Sequence, residues 1–278
     1  MNPDASSFAA LATPPHWTAE QQERRRYVGF RTLFTFDRFI DLPRDGQYKI
    51  LDYGCGDGHS IEPLLERFPN AHFVAVDCDD TVISVLRSRF ADNPRITVLR
   101  TGEAPALEAI EHQFDIIQLN AVFEHLLPDE RRRIVPQLWS RLAIGGYLVV
   151  TETPWRWFPV ETHTTSFPLV NYLPDFLALM AVRHCGRFAR TLTWREALKR
   201  GVRGATIGEI LSCLGEARSA QIVNSAAPDA ADLLEVWWHG ECRQTRKKAL
   251  AYKALCWLRA AGGLVVSPWV SLVLRKHA

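Results

Sequence analysis

The chain has 278 residues, 47% of them hydrophobic, with 33 basic against 31 acidic side chains. That length and apolar content suit one large α/β domain with a sizeable core, and the net charge of +2 carries none of the basic bias of a nucleic-acid binder, so no DNA partner is expected. The six cysteines are scattered without a C-x-x-C pair, which argues against a zinc site or disulfide framework and for a reducing, cytoplasmic setting.

Residues 1–16 read as a leader with paired prolines; it opens with an acid and no basic stretch, so it does not read as a signal peptide. Residues 18–40 form an expected amphipathic helix rich in Phe and Arg, ending before Pro43. A regular alternation follows. "KILDYG" is a buried strand and "HSIEPLLERF" a helix that tolerates Pro63 in its first turn. "HFVAVD" is a second strand, "DDTVISVLRSRF" a helix, "RITVLR" a third strand and "FDIIQLN" a fourth. "PDERRRIVPQLWSRL" is a helix and "GYLVVTE" a fifth strand. Apolar strands alternating with helices predict a parallel, doubly wound sheet covered on both faces.

From Thr153 the rhythm breaks into a segment rich in proline and aromatics, holding Glu161 and His163. Helices are expected near 174–189 and 193–215, a sixth strand in "ARSAQIVNS" and a seventh in "WVSLVLRK". Between those strands runs an unusually long helical stretch, about 229–261. The expected organisation is a leader and lid helix over 1–45, then a main domain over 46–278 with helical insertions at about 155–215 and 229–261. The apolar tail 249–274 is interrupted by Lys253, Arg259, Gly262, Gly263 and Pro268, which makes a poor membrane span.

Gly54, Gly56 and Gly58 follow the first strand, where ligands of open α/β sheets bind. Glycine there permits unusual backbone angles and close approach of a ligand. Asp77 closes the second strand, and a carboxylate at that place can accept hydrogen bonds from ribose hydroxyls. The order D-x-G-x-G-x-G, from Asp52 to Gly58, puts an acid inside the motif. That acid would repel a pyrophosphate but tolerate an ammonium or sulfonium group.

"LDYGCGDGH", "VAVD", "FDIIQLNAVFEHL" and "AIGGYLVVTETP", in that order, resemble the class I S-adenosylmethionine-dependent methyltransferases over roughly residues 48–154. The resemblance implies a doubly wound, seven-stranded, mostly parallel sheet with an antiparallel last strand, helical cap insertions, and S-adenosylmethionine as cofactor. It implies that the turn from Asp52 through Gly54, Cys55, Gly56 and Gly58 approaches the methionine part, and that Asp77 holds the ribose. Gly102 and Glu103 match the place where adenine usually lies, and Asn120 a loop beside the methyl group. Cys78 has two open readings, packing on adenine or ordinary core. His59 is read as a helix cap or a neighbour of the cofactor.

Methyl transfer asks the protein mainly to align the groups and exclude water, and for a hydroxyl acceptor a base helps by taking the proton. His125, just past strand 4, and His163, after strand 5, are the candidate bases. Some family members carry E-x-x-E-H at this place, including small-RNA ribose methyltransferases and certain quinone-biosynthesis O-methyltransferases. Here Ala121 stands at the first glutamate. No metal is therefore expected, although Glu124, His125 and His163 remain the donors of a metal-assisted alternative on RNA ribose. The segment from Thr153 to Phe176 looks like one associated with bacterial methyltransferases of polysaccharide and lipid-linked glycan pathways. Trp155, Trp157, Phe158, Phe167 and Tyr172 would line an acceptor pocket or pack a cap.

These readings converge on O-methylation of a small-molecule or glycan, including lipid-linked, acceptor. A non-catalytic methyltransferase-like scaffold is the alternative from a different class. The late insertion, with Trp237, Trp238, Trp257 and its basic residues, is read as a cap or oligomer interface, with peripheral membrane contact as the other reading.

Overall fold

A computed structural model describes residues 18–101, 113–186, 188–215, 219–224, 231–240, 245–262 and 266–278. The leader at 1–16, and Gly102 and Glu103, lie outside the described residues. Seven strands form one sheet in the order β3-β2-β1-β4-β5-β7-β6. They are β1 (Lys49–Tyr53), β2 (His72–Asp77), β3 (Ile96–Arg100), β4 (Phe114–Asn120), β5 (Leu142–Pro154), β6 (Ala220–Ile222) and β7 (Trp269–Lys276). The first five pair in parallel, while β7 runs antiparallel to both β5 and β6. The fold is thus the doubly wound, mostly parallel one expected.

Strand alternation splits the core in two. Leu51, Val76, Ile117 and Val150 face one helical layer, in which Leu138 and Trp139 of α4 (Pro128–Arg141) are buried. Ile50, Ala75, Ile116 and Val149 face the other layer. That layer holds Phe36 of α1 (Ala19–Phe39), Leu64 of α2 (Ile61–Arg67) and Leu86 of α3 (Asp80–Arg89). Each such fully buried side chain contributes roughly 1.5–3 kcal/mol. The helix α3 starts where Asp79 accepts hydrogen bonds from Thr81 N at 2.7 Å and Val82 N at 3.4 Å, satisfying amides the helix itself leaves open.

The later helices differ from expectation in two places. After α5 (Asp175–His184), the stretch 193–215 holds two short helices, α6 (Trp194–Lys199) and α7 (Ile207–Ser212). Positive φ at Gly201 (85°), Arg203 (82°) and Gly204 (52°) stops the first helix. Likewise the helical stretch at about 229–261 resolves into two helices, α8 (Ala231–His239) and α9 (Arg246–Gly262). A small third cluster, Val182, Leu192, Ala197 and Val202, packs α5 against α6.

Candidate active site

The carboxyl ends of β1, β2, β4 and β5 meet on one edge of the sheet. At β1, Asp52 is fully buried. Ser60 Oγ donates to its Oδ2 at 2.6 Å. Burial pushes this carboxyl up to about 6, against the downward pull of hydrogen bonds from the Ser60 and Gln118 side chains. Gln118 lies in register on β4, with its buried Nε2 facing the Asp52 carboxyl. Buried polar atoms are normally satisfied, and here the adjacent Asp52 and Gln118 side chains answer one another.

The three glycines do different jobs. All have positive φ, at 73°, 50° and 73°. A Cβ on Gly54 would lie 2.5 Å from the Val122 side chain, and one on Gly58 would strike Phe90 and Leu86. A Cβ on Gly56 would meet nothing within 4 Å. Gly54 and Gly58 are therefore required by packing, and only Gly56 faces open space. The turn is fastened to β2, since Gly54 N and Cys55 N both donate to Val76 O, at 2.7 and 3.0 Å. Cys55 is buried, which pushes its thiol well up.

Asp77 ends β2 beside this turn. Its Oδ2 accepts from Gly56 N at 3.0 Å, and its Oδ1 from Cys78 N at 2.7 Å and Asp79 N at 3.1 Å. A carboxylate has about four lone-pair sites, so one remains on Oδ2. Cys78 is exposed, which removes the core reading. His59 caps no helix; Ser60 holds the N-cap position of α2 without a side-chain bond. His59 is buried against Arg89, and burial followed by that guanidinium holds it down to about 4.

The second half of the site lies beyond β4. Thr151 Oγ1 donates to Asn120 Oδ1 at 3.1 Å, and Ala121 turns away with φ 54°. A 3-10 turn, Phe123–His125, then delivers two titratable groups. Glu124 is fully buried; Thr153 Oγ1 donates to its Oε2 at 3.1 Å, and its Oε1 lies 3.9 Å from His125 Nε2 with no hydrogen bond among the described residues. Burial pushes this carboxyl up to about 8, so it is mostly protonated at neutral pH. His125 Nδ1 lies 2.9 Å from Lys199 O. A carbonyl can only accept, so Nδ1 carries the proton and Nε2 keeps its lone pair.

His163 joins from the segment after β5. Its ring centre lies 5.2 Å from that of His125 and 5.9 Å from that of Trp269. Burial lowers the pKa of both histidines, and for His163 the neighbouring His125 lowers it further. Both rings are neutral at pH 7 and able to take a proton. One ligand atom each from Glu124, His125 and His163 lie within 4.8 Å of one another. Glu161 does not join them. Its carboxylate is consumed by the amides of His163, Thr164 and Thr165 and by both threonine hydroxyls, so it shapes the loop that presents His163.

An aromatic shelf borders this loop. Trp157 and Tyr172 are half exposed, with ring centres 6.0 Å apart, and the Tyr172 hydroxyl donates to Trp157 O. Phe176 and Met180 of α5 continue the exposed apolar surface. Trp155 and Phe158 are only partly accessible. Three contributors were not found from sequence: Thr153, Trp269 and Gly201, whose Cβ would lie 2.6 Å from the His163 ring. "KRGVRG" signals a turn, but nothing in it signals a histidine 38 residues upstream.

A family model described as a methyltransferase domain matches residues 50–146. The trans-aconitate 2-methyltransferase of Variovorax paradoxus (strain S110) is 30% identical over 186 residues, 57% of this chain and 67% of that protein. A malonyl-[acyl-carrier protein] O-methyltransferase of Bacillus anthracis is 30% identical over 133 residues, 48% of this chain and 46% of that protein. The chain thus spans about half the length of several curated relatives it matches. Among solved structures, a putative sarcosine dimethylglycine methyltransferase from Galdieria sulphuraria aligns with a TM-score of 0.52 at 14% identity, covering 96% of this chain and 92% of that one. An O-methyltransferase family protein from Burkholderia thailandensis also reaches 0.52, at 12% identity, covering 93% of this chain and 57% of that one. At those identities the structural likeness speaks to the fold alone.

Proposed function

The chain belongs to the class I S-adenosylmethionine-dependent methyltransferases, and from that premise we propose that it methylates an oxygen of a small-molecule or glycan acceptor, with His163 or His125 as the base. The observation that carries this reading is the pair of neutral imidazoles, 5.2 Å apart, beside the glycine turn. Val122, three residues before His125, packs on Gly54 and ties the two halves together.

The residues present fit the cofactor. Asp52 is a buried acid at the end of β1, Gly56 offers open space, and Asp77 keeps a lone pair on Oδ2. When bound, S-adenosylmethionine supplies a methyl carbon made electrophilic by its sulfonium. Asp52 and the Gly54–Gly56 backbone form the proposed cradle for the methionine part, with Asn120 beside it; Asp77 is the proposed ribose ligand, with Cys78 exposed next to it. His125 Nε2 or the His163 ring would take the acceptor's hydroxyl proton, the carbon–oxygen bond replacing the methyl–sulfur bond and leaving a neutral thioether. Glu124, protonated and buried, adds no competing charge. The shelf of Trp157 and Tyr172 suits a ring or an apolar chain on the acceptor, including a lipid-linked one. Small acids also belong in the acceptor panel, because two curated relatives are named for trans-aconitate and malonyl-[acyl-carrier protein].

Calorimetry with S-adenosylmethionine tests the first half, and lack of binding would leave the scaffold reading. Labelled methyl transfer to hydroxyl and carboxylate acceptors, trans-aconitate included, tests the second. Turnover of carboxylates alone, unaffected by His163→Ala and His125→Ala, would remove the base.

A second reading rests on the convergence of Glu124, His125 and His163 around the buried Glu124 Oε1. One oxygen and two nitrogens suit a divalent transition ion. Ala121 leaves the fourth protein donor of E-x-x-E-H missing. Full activity in the presence of a chelator would dismiss this version.

A further inference from the structure

We propose that α9 is a peripheral membrane anchor that lies flat on an anionic bilayer surface. This inference is independent of the acceptor's identity. Its 17 residues, RKKALAYKALCWLRAAG, contain five cations and no acid, and none of the 17 is buried. The helix nevertheless has an inner face. Tyr252 stacks on Trp238 with ring centres 4.8 Å apart, and Lys248 Nζ donates to Trp237 O at 2.8 Å. Ala249, Leu255 and Cys256 are half-buried on the same side.

The opposite face is apolar and uncovered. Leu250 and Trp257 are 69% and 67% exposed, and Leu258, Ala254 and Ala261 are exposed with them. At 3.6 residues per turn these five fall within an arc of roughly 100°. Arg246 and Lys253 flank the stripe on one side, and Lys247 emerges within it near the other edge. An outward stripe containing tryptophan, bracketed by cations, is the pattern of a helix that rests in a headgroup region. Among the described residues no helix is long and apolar enough to cross a membrane, so α9 would lie on the surface.

The charge selects this occupant over two others. A second copy docked through the same face would set one acid-free helix against another, a like-charge arrangement. A polyanion such as RNA would pair the cations but leave the apolar stripe in water. An anionic bilayer satisfies both features.

The test is co-sedimentation of the full chain with vesicles of phosphatidylcholine, alone or mixed with phosphatidylglycerol. Binding is expected for the mixed vesicles and is expected to weaken as salt rises. Arg246→Gln, Lys247→Gln and Lys253→Gln together should weaken partitioning by about a hundredfold, at roughly fivefold per charge removed. Leu250→Ser with Trp257→Ser should abolish it. S-adenosylmethionine affinity, measured on each variant, should stay unchanged and thereby report an intact fold. Failure of the native chain to bind mixed vesicles would overturn the proposal, as would variants that bind undiminished. A dimer in vesicle-free light scattering that these variants dissolve would assign the face to self-association instead.

Discussion

The two halves of the site are built on opposite plans. The glycine turn is made of backbone. Its key contacts, Asp52 with Ser60 and Gly56 with Asp77, span 8 and 21 residues, and its shape is enforced by positive φ. The histidine side is made of side chains gathered from afar. Thr153 reaches Glu124 across 29 residues and Lys199 reaches His125 across 74. It is held by buried titratable groups with displaced pKa values. The contrast teaches that donor and acceptor recognition should fail separately: damage to the turn should cost cofactor affinity, and damage to the histidines should cost turnover.

The largest expected effect is on turnover. His163→Ala or His125→Ala, whichever removes the base, should lower kcat by about 10²–10⁴-fold, while calorimetry finds S-adenosylmethionine binding nearly unchanged. Loss of cofactor affinity in either variant would break the separation of the two halves.

Next comes the turn itself. Gly56→Val should weaken S-adenosylmethionine by roughly tenfold to a hundredfold. The new side chain occupies open space at a cost of about 1–2 kcal/mol for its positive φ, so Tm should drop only a few degrees. Gly54→Val carries the same backbone cost and also collides with Val122, so it should lose markedly more stability. Equal losses of stability in the two variants would show that the glycines are interchangeable.

The same contrast explains what could be read in advance. The alternation of "KILDYG", "HFVAVD" and "FDIIQLN" with helices was enough to place the strands, because each burial pattern is local and the sheet repeats it. Asp52, the glycines and Asp77 were legible because local spacing sets their geometry. The separate duties of the three glycines were not, since they depend on Val122, Leu86 and Phe90 arriving from elsewhere. The convergence of Glu124, His125 and His163 depends on the fold of 153–204. There, turns at Gly201 and Gly204 split a segment that reads as one helical region. Glu161 looked chemical from its neighbour His163, and only the loop's amides show that its carboxylate is already consumed.

A third, smaller effect follows from the buried Glu124. Its folded pKa of about 8 lies above the roughly 4.3 of an unfolded glutamate, so between those values the folded chain holds the extra proton. The stability this group contributes is full at low pH and is lost as pH rises through the folded value. The slope approaches ~1.4 kcal/mol per pH unit below about pH 7 and eases as the folded group titrates, so from pH 7 to 8 this group should remove about 1 kcal/mol. The three lowered histidines, His59, His125 and His163, oppose this fall near pH 7, where their unfolded forms still hold some protons, and cease to matter by pH 8. Denaturant titrations should show the native chain losing about 1 kcal/mol more than Glu124→Gln between pH 7 and 8. A divalent ion at the triad would favour the charged carboxylate and reverse the slope, so the experiment also weighs the metal reading.

The smallest expected effect isolates a single hydrogen bond. Thr153→Val keeps the side-chain shape but removes the donor to Glu124 Oε2 at 3.1 Å. A buried acceptor left without its partner costs about 1–2 kcal/mol, so at pH 6.5 the variant should lose roughly that much stability. The Thr153 hydrogen bond also lowers the Glu124 pKa. Without it the carboxyl should hold its proton to higher pH, and the falling limb of stability should move above about 8. S-adenosylmethionine affinity should stay unchanged, because Thr153 touches only the histidine side. A limb that stays in place would mean that burial alone sets Glu124, and that the side-chain half is a set of neighbours rather than a coupled network.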